Sequence, residues 1–150
     1  MKNIELFDIA VLHFADKLYK NFPVCVNVDM YEEIKKEPFA SVRMDEFKKA
    51  LILSETVFWL EENGFLKFEH NTNRLNPSNL EPIPSQFFDC MRLTAKGLSI
   101  LKAPPKAIEK KESMGEKIAN DLQVAVTQKT LSKISDIAAD FITKLALNMF

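Results

Sequence analysis

The feature that most constrains this chain is a change of period at Gly64. Residues 44–63 are helical by propensity, and a glycine stands where such a helix would stop. Beyond it the apolar pattern switches to period two. Phe65, Leu66 and Phe68 begin a strand that ends near His70. Residues 71–86 then hold three prolines and four asparagines, the composition of an exposed loop. A second strand, Phe87 to Leu93, returns from that loop, and Thr94 caps a helix of about two turns, Ala95 to Leu101. A helix, a long-looped hairpin and a second helix must therefore follow one another within about sixty residues.

The segment before this unit reads as helix, strand, helix. Ile4, Phe7, Val11, Phe14 and Leu18 recur at spacings of three and four, so residues 3–20 form a helix that Pro23 ends. Val24, Val26 and Val28 alternate with Cys25 and Asn27 as a short strand. Asp29 followed by Glu32 opens a helix from Met30 to Lys36, stopped by Pro38. Within 44–63 two readings stay open. One is a single helix. The other is a pair that breaks at Ile52-Leu53-Ser54, with Asp45 opening the first and Ser54 capping Glu55 to Asn63.

Residues 104–113, beginning Pro104-Pro105 and rich in charge, read as a linker. The tail 114–150 is amphipathic. Ile118, Leu122 and Ala125 form one apolar face and Leu131, Ile134, Ala138, Phe141 and Leu145 another, interrupted at 127–130. The tail can dimerise, fold back on its own domain, or lie on a membrane surface. For dimerisation the candidate contacts are Ile118, Leu122, Ile134, Ala138, Phe141 and Leu145. For membrane attachment the basic residues of 131–150 are few. The expected class is mainly α with a small antiparallel sheet: one domain over 1–103, then linker and helical tail.

Two segments carry a resemblance. Ser54-Glu-Thr-Val-Phe-Trp-Leu-Glu-Glu-Asn-Gly-Phe-Leu66 looks like a recognition helix, its glycine stop and a first wing strand. Met91-Arg-Leu-Thr-Ala-Lys-Gly-Leu-Ser-Ile-Leu101 looks like a last wing strand entering a capped helix. Together with the element order they make residues 1–102 similar to the winged helix-turn-helix superfamily of bacterial transcriptional regulators. That resemblance implies double-stranded DNA as partner, and a role as regulator or as an accessory DNA-binding factor of phage or plasmid type. It implies a helix in the major groove and a hairpin loop at the adjacent backbone. The residues it singles out are Glu55 and Thr56 on the helix, Arg43, Lys48 and Lys49 before it, and Lys67, Asn71, Asn73, Arg74 and Lys96 around the wing.

Charge sets an alternative beside this. The chain of 150 residues carries 20 basic and 21 acidic groups, a formal net of −1, so phosphate affinity must come from a local patch. Yet Glu55 to Asn63 offers carboxylates and no Lys or Arg. The same fold used as a protein-interaction module, with the acidic helix as its face, is the second expectation. An adaptor whose tail binds a membrane or a partner helix is the third.

Enzyme chemistry finds no assembled site. The three glycines make no phosphate loop. Glu61 and Glu62 point about 100° apart on a helix and cannot converge on one substrate. His13 and Asp16 sit one turn apart with no further ligand in register, so His13 reads as a surface histidine, and His70 as solvent-exposed. Trp59 and Phe58 read as core, with most of the twelve phenylalanines. Cys25 and Cys90 fit no metal spacing and are expected reduced and partly buried. With no secretory signal and no spanning run, the expectation is a cytoplasmic protein with no cofactor and no small-molecule ligand.

Overall fold

The computed structural model describes residues 1–72, 74–75, 86–103 and 112–147. Helix α1 (Asn3–Asn21) leads into strand β1 (Val26–Asp29), then the short helix α2 (Met30–Glu33) and a 3-10 turn at Phe39–Ser41. The long helix α3 (Glu46–Glu62) is followed by strands β2 (Leu66–Lys67), β3 (His70–Asn71) and β4 (Phe87–Leu93). Helices α4 (Ala95–Lys102), α5 (Met114–Thr127) and α6 (Ser135–Leu147) complete the order, with a 3-10 turn at Leu131–Ile134 between the last two. The class is mainly α with a small antiparallel sheet, as the patterning predicts. No helix of the described residues is long and apolar enough to cross a membrane.

Residues 46–62 form one helix, not two. Asp45 caps it by accepting from the Lys48 amide at 3.1 Å. The supposed break is inside it: Leu53 and Ser54 are both fully buried. Thr56 makes the helix-interior bond available to its hydroxyl, donating to the Ile52 carbonyl at 2.7 Å. Ser54 Oγ is buried and has no hydrogen-bond partner among the described residues. Ser54→Ala is therefore expected to leave stability unchanged or raise it slightly in urea unfolding, since a buried hydroxyl without a partner costs free energy. A capping serine would instead lose about 1 kcal/mol.

The end of α3 is joined to the start of α4 through Gly64, Thr94 and Gly97. Gly64 takes a φ of 73°, and its amide donates to Glu61 while the Phe65 amide reaches back to Leu60. This double closure needs a left-handed residue, which glycine adopts without cost. Thr94 then does three things. Its hydroxyl donates to the Gly64 carbonyl, accepts from the Gly97 amide at 3.0 Å to cap α4, and stands beside its own amide's bond to Phe65. Gly97 lets α4 come this close: a Cβ there would fall 2.1 Å from the Phe65 carbonyl oxygen.

Strand β4 is central. β1 pairs antiparallel along one edge, Val26 opposite Met91 and Val28 opposite Phe88. β2 and β3 share the other edge, Leu66 opposite Leu93 and His70 opposite Asp89. The expected single strand 65–70 is thus two short pieces. One residue of β4 is extra between Val26 and Val28. At this bulge Cys90 takes a φ of 53°, and its amide donates to Asn27 Oδ1 at 2.9 Å. Here the structure corrects the cysteine expectation. Cys25 and Cys90 are joined in a disulfide, their Cα atoms 4.8 Å apart. They are 65 residues apart in sequence, so sheet register, not local spacing, brings them together.

The tail folds back. Ile118, Leu122, Ile134, Ala138, Phe141 and Leu145, the six candidates for partner contact, are all buried within this chain. Helices α5 and α6 pack on α1 and α4, and the Phe141 ring meets Phe65 edge-on at 5.0 Å. Gly115 lies against the ring of Tyr19, where a Cβ would come within 2.5 Å. A dimer seam through those six side chains has no exposed surface to use. One core runs from α1 to α6 and draws on both 1–103 and 114–147; most of the 104–113 linker lies outside the described residues. Helix α1 is the centre of this core, with α3 on one side and the tail on the other. That is why Leu6, Ile9, Ala10 and Leu12 are buried together with Val11, Phe14 and Leu18 of the predicted stripe, while Phe7 is partly buried and Ile4 exposed.

Candidate interaction face of helix α3

The ten residues that the resemblance singles out do not form one surface. Lys49 is 7% exposed and donates to the carbonyls of Phe39 and Val42 at 3.1 and 3.2 Å. It closes the 3-10 turn and cannot reach a phosphate. Thr56 is buried. Lys96 donates to the Asn63 carbonyl at 3.0 Å, placing a cation on the negative end of α3. Arg74 is held in a two-point bond by Glu55, 2.8 and 3.0 Å, with its guanidinium 4.2 Å over the Phe58 ring. The carboxylate of Glu55 raises the Arg74 pKa, as do Glu62 and Glu61 more weakly. Asn71 is exposed on β3 and donates to the neighbouring Thr72 carbonyl. Asn73 lies outside the described residues. Arg43, Lys48 and Lys67 are exposed.

The open side of α3 carries something else. Asn3, Ile4 and Phe7 of α1 and Leu51, Ile52, Glu55, Trp59 and Glu62 of α3 line a groove of about 600 Å³, with Arg74 at its edge. Phe7 and Trp59 meet edge-on at 5.2 Å in its wall, so Trp59 is a partly buried wall residue while Phe58 behind it is core. Ile4 is 61% exposed at the mouth. The sequence reading passed over this face. The available signal was that α3 is apolar on more than one side: Leu51 and Ile52 on top of Leu53, Val57 and Leu60.

Two clusters of titratable side chains lie away from this groove. His13 is not a surface histidine. Its ring sits between Phe14 and Phe39, and its Nε2 is 2.7 Å from Glu33. Lys17 and Lys36 donate to the same carboxylate at 2.9 and 3.0 Å. Glu33 is 1% exposed. Burial alone would raise its pKa, but the hydrogen bonds from His13 and Lys17, with their charges, outweigh that and hold it at about 2. This network ties α2 to α1, and His13 also lines a pocket of about 460 Å³ between α1 and α5. Glu69, His70 and Asp89 each offer a ligand atom within 4.8 Å of the others, with His70 Nδ1 3.5 Å from Asp89. They stand on the outside of the ribbon, with His70 exposed as expected, and form no enclosed metal site.

Comparison of the chain with protein-family models, curated proteins and solved structures returns no match.

Proposed function

We propose that this protein is a non-enzymatic interaction module of winged-helix type, which meets a protein partner through the open face of α3. The order helix, strand, helix, helix, ribbon, helix supports the fold type, with β4 between β1 and β2. The observation that carries the choice of partner is the make-up of the α3 face. Leu51, Ile52 and Trp59 line it with Glu55 and Glu62, and Arg74, the one cation among the described lining residues, is taken by Glu55. A groove helix that binds DNA needs the opposite sign, because phosphate contacts supply most of the non-specific affinity. Exposed apolar and aromatic side chains in a concave face are instead what protein partners anchor on.

One observation favours a second reading. Lys67 and Arg92 are register partners across β2 and β4, and both are exposed. This pair on the ribbon is the natural phosphate contact if DNA is bound. The two readings separate in one comparison. Cross-linked capture from the source cell is expected to recover a partner protein with the native chain and to lose it with Ile4→Asp, a change on an exposed position. A random duplex at about 50 mM salt is expected not to shift. A shift abolished by Lys67→Glu with Arg92→Glu, and no partner lost with Ile4→Asp, would reverse the assignment.

A further inference from the structure

We propose that Glu69, His70 and Asp89, on the outer face of the ribbon and apart from the α3 groove, bind a divalent transition-metal ion of the zinc class. The site is open-sided, and a coordination position is left for water or an incoming ligand.

The backbone brings the three residues together. His70 on β3 stands opposite Asp89 on β4, and directly opposed residues share one face of an antiparallel pair. Glu69 precedes β3, where the ribbon is interrupted after Lys67, so it does not follow the alternation of a continuous strand. Its amide donates to the Asp89 carbonyl at 2.9 Å. One ligand atom from each side chain then lies within 4.8 Å of the other two. Asp89 is followed by the bulge at Cys90, which the disulfide to Cys25 and the bond to Asn27 hold in place.

The spacing suits a metal better than a hydrogen bond. His70 Nδ1 is 3.5 Å from Asp89 Oδ2, beyond the roughly 2.7–3.2 Å of a good N–H···O contact. Two ligand atoms held by one tetrahedral zinc at about 2.0–2.1 Å stand about 3.3–3.4 Å apart. Glu69 is exposed, and its carboxylate closes the remaining gap by rotation of a solvated side chain.

The donor set and its charge select the ion. Among the described residues neither Glu69 nor Asp89 forms an ion pair with Lys or Arg; Asp89 meets only His70. Lys67 and Arg92, the nearest cations along the strands, are register partners of each other. An imidazole with two carboxylates suits zinc and its neighbours, whereas calcium and magnesium take oxygen donors. Nothing else in the described residues competes for such an ion with sulfur or imidazole. Both cysteines are joined, and His13 is committed to Glu33.

The test titrates the full-length protein, first stripped with a chelator, with zinc chloride, and follows the histidine ring protons by NMR. The chain has two histidines, so His70→Ala assigns the signals. Zinc is expected to saturate at about one equivalent with a Kd below about 100 μM, moving the His70 signals and leaving those of His13 in place. Glu69→Gln and Asp89→Asn should each weaken binding about tenfold or more, with circular dichroism unchanged. Magnesium at the same concentration should not displace zinc. The inference is overturned by any of three results: no saturation by about 100 μM zinc, affinity within about twofold of the native chain in either carboxylate variant, or displacement by magnesium. The second of these would mean a lone histidine holding an adventitious ion only.

Discussion

Phe141→Ala is expected to destabilise the whole protein by about 3–5 kcal/mol, the usual loss for a fully buried phenylalanine. Phe141 is completely buried and meets Phe65, the residue that closes the end of α3. It therefore joins the tail to the segment that presents the α3 face. Urea unfolding followed by circular dichroism and by Trp59 emission should report one transition, with its midpoint lowered equally by both probes. An independent tail would give a different result: helix signal lost first, and Trp59, on the far side of α1, undisturbed. Ending the chain before residue 112 should follow the same logic. It uncovers the side of α1 and α4 on which α5 and α6 pack, and an aggregated or unfolded product is expected, not an intact front domain.

Glu33→Gln is expected to cost about 3 kcal/mol at neutral pH, because removing one partner of a buried ion network leaves the others uncompensated. Lys36 is more than half exposed and recovers part of its solvation, which keeps the loss at the lower end of the range for such changes. The sign of the pH dependence follows from the direction of the shift. Glu33 is held at about 2, below its ordinary 4.5. Its contribution is then complete above the unfolded value and disappears as pH falls from about 4.5 through 2. Unfolding free energies measured at pH 7, 4 and 2.5 should drop for the native chain and drop less for Glu33→Gln. If the two chains lose stability in parallel through that window, Glu33 is not the group responsible.

These two residues also mark where sequence reading stops. Phe141 belongs to an apolar stripe that is plain in the pattern, but a stripe says only that something covers it. Dimer, fold-back and membrane surface all fit its spacing, with dimerisation the leading expectation; the cover is α1 and α4 of the same chain. In the sequence Glu33 is one of several carboxylates on a short helix capped by Asp29. Its burial depends on His13 and Lys17 arriving from α1, sixteen to twenty residues earlier in the chain. The same is true of the cations. Lys49, Lys96 and Arg74 carry a positive charge in any reading, and each ends on an acceptor from another segment.

From the residues alone came the elements and their stops: the Asp45 and Thr94 caps, the left-handed Gly64, the period change into the ribbon, the amphipathic tail. These are local, since a cap or a turn is decided by groups within four or five residues of each other. Tertiary structure alone decided that 46–62 is one helix, that the tail closes the core, that Cys25 meets Cys90, and that α1 and α3 leave an apolar groove between them. Each of these depends on which surface lies against which, and burial, unlike hydrogen-bond spacing, has no period in the sequence from which its partner can be read.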